Sequence, residues 1–132
     1  MEEFFTRDNA NEGTQIDLFR PDGSKSDHWL VILGTDSDVY HLTNAKARRA
    51  LSTIEIEARM IEDVGKREDF LLGKQKEWEI KIIASLLKSW SFDKEPTEEN
   101  KIDFLTNAPQ IREQINKLST RRQLFIKTGS DA

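Results

Sequence analysis

The chain has 132 residues, 36% hydrophobic and 33% charged, with a formal net charge of -4 and no cysteine. That length suits one domain. The acidic balance gives no electrostatic basis for nucleic-acid binding, which needs basic surface to release counterions. The missing thiols exclude disulfides and thiolate metal sites and fit a reducing cytoplasm.

The chain begins Met1-Glu2-Glu3-Phe4-Phe5, acidic where a secretory signal would be basic, and no run approaches membrane-spanning length without charges. Residues 4–13 turn polar after the two aromatics and carry neither a helical nor a strand period, so an extended arm is expected. Phe4 and Phe5 either fold back onto the core or stand out as a handle for a partner. Folding back is favoured, since exposed aromatic pairs are costly alone.

Ile16 and Leu18 alternate with Gln15 and Asp17, which predicts a strand, and Pro21-Asp22-Gly23 supplies turn chemistry. The run Trp29-Leu30-Val31-Ile32-Leu33, bounded by Gly34, predicts a second strand. Together they make a β-hairpin over residues 14–34. Its second strand is apolar on both faces, so one face should meet helices and the other the arm or another subunit.

Thr35-Asp36-Ser37-Asp38 offers cap side chains and negative charge at a helix start. A helix over 39–61 follows, with Ala47, Leu51, Ile54 and Ala58 on one stripe and Gly65 as its stop. Phe70-Leu71-Leu72-Gly73 reads as a short apolar link. The stretch 78–92 then carries Trp78, Ile80, Ile82, Ile83, Leu86, Leu87 and Trp90. That stripe is too broad for a surface helix, so it predicts a central core helix starting near Gln75.

Thr97 followed by Glu98-Glu99 predicts a capped short helix over 98–106, and Pro109 opens a last helix over 109–125. The remaining residues, 127–132, read as a flexible tail. The expected fold class is α+β, mainly α: an N-terminal β-hairpin packed on a bundle of about four helices. The expected organisation is a single domain over 1–132, with an arm at 1–13 and a helical bundle at 36–126.

Candidate chemistry is sparse. His28 and His41 lie thirteen positions apart, one on a strand and one on a helix, which makes a poor metal site. Asp36 and Asp38 lack the glycine and later glutamate of a calcium loop and read as helix caps. Glu98 and Glu99 sit where a helix start favours acids, and Arg48-Arg49 and Arg121-Arg122 read as solvated faces or salt bridges. There is no phosphate-binding glycine loop and no nucleophile turn. No catalytic, cofactor-binding or metal-ligating residue is assigned, and protein–protein work is the expectation.

An ordered set of stretches is more informative than any one of them. It comprises Phe4-Phe5-Thr6-Arg7-Asp8-Asn9-Ala10-Asn11-Glu12-Gly13, Leu18-Phe19-Arg20-Pro21-Asp22-Gly23, His28-Trp29-Leu30 and Gly34-Thr35-Asp36-Ser37-Asp38. It continues with Trp90-Ser91-Phe92-Asp93, Thr97-Glu98-Glu99-Asn100, Ala108-Pro109-Gln110-Ile111 and Arg121-Arg122-Gln123-Leu124-Phe125. In this order and spacing the set resembles the tail assembly chaperones of long-tailed bacteriophages and prophages. The resemblance spans nearly the whole chain and is weakest between residues 49 and 75.

The resemblance implies a non-enzymatic, transient role in the bacterial host cytoplasm. Such a protein binds the phage tape-measure protein, keeps it soluble, helps recruit the tail tube protein, and is absent from the mature virion. Charge balance and hydropathy add the expectation of no nucleic-acid or membrane partner, no cofactor is expected, and self-association stays open. The alternative is a structural minor tail or tail completion protein retained in the virion.

A chaperone for a long amphipathic helix needs an apolar groove or edge that tolerates many sequences. The candidate protein-binding residues are Phe4, Phe5, Trp29, Val31 and Leu33, with Leu30 and Ile32 as the opposite set on the same strand. In this reading the outer side of the hairpin meets the client, and the arm covers it when no client is bound. The alternative is that these residues complete the core.

Overall fold

The computed structural model describes residues 1–126; the tail expected at 127–132 lies outside the described residues. Its centre is an antiparallel sheet in the order β1-β2-β3, formed by Thr14–Phe19 (β1), Lys25–Ile32 (β2) and Leu87–Trp90 (β3). Ile16 lies opposite Leu30, and Leu30 opposite Trp90, so these three share the inner face. Gln15, Val31 and Ser89 form the next row, on the outer face. The α+β, mainly α expectation holds: the sheet shares its core with helices Val64–Ser85 (α3), Glu98–Asn107 (α4) and Pro109–Ser119 (α5), and helix Asp38–Arg59 (α2) packs along α3.

The core lies between the inner sheet face and the helices. Leu30, Ile32, Leu86, Leu105 and Ile115 are fully buried there, joined by Ile16, Leu18, Ile83, Ile111 and Phe125. Each large side chain removed from water in this way contributes about 1.5–3 kcal/mol.

Four expectations are corrected. The arm is not extended: Glu2–Phe4 makes a 3₁₀ turn and Arg7–Glu12 a short helix, α1. This helix lacks an apolar stripe and buries only Ala10, so hydrophobic periodicity could not reveal it. It is held by tertiary bonds, including Gly34 N–H to the Ala10 carbonyl at 3.1 Å.

The stretch 78–92 is not one helix. α3 ends at Ser85, and Leu87–Trp90 turns into β3. The reason is the outer edge of β2. A strand buried on one face under helices cannot leave the backbone groups of that stretch unpaired, and β3 satisfies that edge of β2 through the Leu30–Trp90 and Val31–Ser89 pairs. The Leu33 N–H also donates to the Leu86 carbonyl at 2.7 Å.

The same helix starts earlier than expected. Asp63 caps it by accepting from Lys66 N–H at 2.8 Å, and Gly65 and Gly73 lie inside it. An interior glycine costs about 1 kcal/mol without ending a helix, and neither glycine stops α3. At the other end of the chain, α5 stops at Ser119 and Arg122–Phe125 forms a separate 3₁₀ turn. That turn swings Phe125 into the core while leaving Arg122 exposed.

Candidate protein-binding surfaces

Of the five residues singled out from sequence, the fold places Trp29 and Val31 together on the outer sheet face, each half-buried. Leu33 does not join them. It follows the last residue of β2, is buried, and belongs to the core cluster, so it completes the interior. Leu30 and Ile32, the other side of the strand, are wholly interior.

Phe4 and Phe5 are 77% and 62% exposed, so they do not fold back onto the core. Nor does the pair close over Trp29. Phe5 instead borders a cavity of 280 Å³ at the far end of β2, walled by Ala10, Gly34, Asp36, Arg122 and Phe125 among others.

The arm is anchored at the start of α2. Arg7 donates to both Asp38 carboxylate oxygens, at 2.7 and 2.9 Å, and Asn11 donates to Asp38 at 3.2 Å. The Asn11 side-chain oxygen accepts from Asp38 N–H at 2.8 Å. That bond does the work of an N-cap. The formal cap residue, Ser37, makes no capping bond, and its buried Oγ has no partner among the described residues. The arm thus caps a helix that its own neighbouring serine leaves open.

Electrostatics favour the same junction. Hydrogen bonds from Arg7 hold the Asp38 carboxyl below its usual range, and Arg7 is raised in turn. Asp36 is lowered to about 2, chiefly by the Arg122 guanidinium, which donates to it at 2.6 and 3.0 Å. Asp36 and Asp38 therefore act as ion-pair anchors for the arm and the final 3₁₀ turn, as well as standing at a helix start.

His28 and His41 do not converge. His28 Nδ1 lies 3.0 Å from Ser91 Oγ, and its ring lies tilted against Phe92, with centroids 4.7 Å apart. His41 lies on α2 against Tyr40. Among the described residues no group of three or more histidine, aspartate or glutamate side chains is placed to hold a metal ion. None of the described helices is long and apolar enough to cross a membrane.

Two features escaped the sequence reading. The first is an aromatic cluster in which Phe92 and Phe104 lie 5.1 Å apart, with Trp90 5.4 and 5.7 Å from them. Its members come from different elements, so no local pattern links them. The second is the outer side of α2 and α3, where Leu42, Ile56, Met60, Val64 and Leu72 are exposed. Met60 and Val64 lie at the turn between the two helices, whereas Leu42 and Leu72 each line a depression beside α3. Comparison with protein-family models, curated proteins and solved structures gave no match for this chain.

Proposed function

We propose that the chain is a bacteriophage tail assembly chaperone that binds the tape-measure protein and assists assembly of the tail tube. The observation that carries this reading is the set of exposed apolar side chains on two long, paired helices and the turn between them: Leu42, Ile56, Met60, Val64 and Leu72. A surface of this kind suits a helical client whose sequence varies along its length. The ordered stretches that resemble the chaperone family supply the identity of that client. The half-buried Trp29 and Val31 offer a second, smaller apolar area on the outer sheet face.

The test is co-expression with the tape-measure gene from the same cluster, followed by affinity capture and sizing. The long protein is expected to become soluble and to co-purify in a defined ratio, and purified particles are expected to lack this chain. A tape-measure protein that stays insoluble and unbound beside a folded, monodisperse partner would remove the reading. Recovery of the chain from purified particles would replace it with a retained minor tail protein.

A further inference from the structure

Two depressions on the α3 surface meet at one residue. The first, of 350 Å³, is floored by Val39, Leu42, Trp78 and Ala84. The second, of 510 Å³, is floored by Leu72, Ile80 and Ile102. Lys81 lines both. On α4 the walls are Glu98 and Lys101 for the first and Ile102 and Thr106 for the second, one continuous helical face. The two depressions adjoin at Lys81 and together run along α3 from Leu72 to Ser85, a furrow in two parts. Thirteen helical steps make it about 20 Å long.

The rim of this furrow differs in sign from the rest of the chain. It carries Lys46, Lys76, Lys81 and Lys101 against Glu77 and Glu98, four positive charges against two negative. The whole chain stands at -4. Lys74 lies 3.6 Å from Glu77 and offsets one of those acids, whereas none of the four rim lysines makes an ion pair among the described residues. Lys81 Nζ rests 4.5 Å from the Trp78 ring centroid. Burial lowers the Lys101 ammonium from its usual range, with Glu98 opposing the shift only in part. An incoming carboxylate would return to Lys101 the stabilisation that water no longer supplies.

We infer that this furrow is a docking groove for an amphipathic helix with acidic flanks, its apolar face on Leu72, Ile80, Trp78 and Leu42 and its carboxylates on the lysine rim. A helix suits the groove better than a strand, since the walls are helices and present no open strand edge. About 20 Å holds some thirteen residues of helix, nearly four turns. A nucleic acid fits less well. The floor is mainly aliphatic rather than a set of stacking rings, and Glu98 faces whatever binds. The inference rests on the chaperone reading only for the source of such a helix, not for the chemistry of the groove.

The probe is a defined peptide of about fourteen residues, long enough to fill the furrow, with leucines at helical spacing and glutamates on both flanks. Its twin carries lysines in place of the glutamates. Each is titrated into the isotopically labelled full chain, and amide and indole resonances are followed. The acidic peptide should shift the Trp78 indole N–H and the amides of α3 and α4 that line the furrow. It should bind at least tenfold more tightly than its twin.

Lys81→Glu combined with Lys101→Glu should reverse that preference, and Lys46→Glu, at an exposed position that leaves packing intact, should weaken the acidic peptide alone. Equal binding of the twins, shifts confined to other surfaces, no binding, or tighter binding of a single-stranded oligonucleotide would each overturn the inference. Binding of the acidic peptide by a chain that ignores the tape-measure protein would keep the groove and remove the chaperone reading. Capture of the tape-measure protein by a chain that ignores the peptide would do the reverse.

Discussion

The sheet region buries apolar residues at alternate positions and the α2–α3 pair at every third or fourth, and the two reach different packing. In β2, eight residues long, Leu30 and Ile32 are fully buried under side chains from several elements. In α2, twenty-two residues long, only Ala47, Ile54 and Ala58 are buried, and none of them belongs to the main cluster. Two of those three are alanines, so the interface with α3 is close but buries little area. Stability should therefore be concentrated in the sheet and the helices over it. The outer sides of α2 and α3 are correspondingly left available to a partner.

Truncating the two regions should break or sharpen this contrast most strongly. Leu30→Ala or Leu105→Ala should cost about 3–5 kcal/mol, because each removes a fully buried side chain from a site with little room to collapse. Ile54→Ala should cost less, about 2 kcal/mol, since its surroundings are thinner. Urea denaturation of the three variants reads the difference. Equal costs would mean that α2 shares one tightly coupled core with the sheet.

A second substitution probes the seam between arm and sheet. Gly13 has φ of 85°, and a Cβ there would lie 2.6 Å from the Ile32 carbonyl oxygen. Gly13→Ala should destabilise by about 1–3 kcal/mol through backbone strain, with the clash adding to it. Gly23, with φ of 91°, has nothing within 4 Å of the same position. Gly23→Ala should therefore be the milder change, and thermal melts of the two variants compare them. A reversed order would mean that the arm is not held against β2.

The smallest expected effect is electrostatic and belongs to the junction between the regions. Asp36 titrates at about 2 in the folded chain against an ordinary 3.8, with Arg122 the main cause. A lowered folded value means that its contribution is present above about pH 4 and is lost as pH falls toward 2. The melting-temperature advantage of the natural chain over Asp36→Asn should be flat above pH 4 and shrink below it. An advantage unchanged down to pH 2 would show that the Arg122 pairing adds no net stability, as exposed ion pairs often do not.

What the sequence determined by itself is largely local. The strand alternation of Ile16 and Leu18, the turn at Pro21-Asp22-Gly23, the Thr97 cap and the Pro109 helix start each depend on neighbours within a few residues. Each appears in the structure where the pattern placed it. The mainly helical α+β class followed from those elements together. The sequence also set the apolar content of 86–90, but not its conformation. Leu86, Leu87 and Trp90 satisfy either a helical stripe or a short strand, and only the unpaired edge of β2 decided for the strand.

The helical arm, the shared cap at Asp38, the aromatic cluster and the lysine-rimmed furrow were likewise decided by tertiary structure. Each joins residues far apart in the chain, such as Arg7 with Asp38, Phe92 with Phe104, and Leu72 with Ile102. Their geometry exists only once helices and strands have packed. Local periodicity records which face of an element is apolar, but not which other element will cover that face or leave it open.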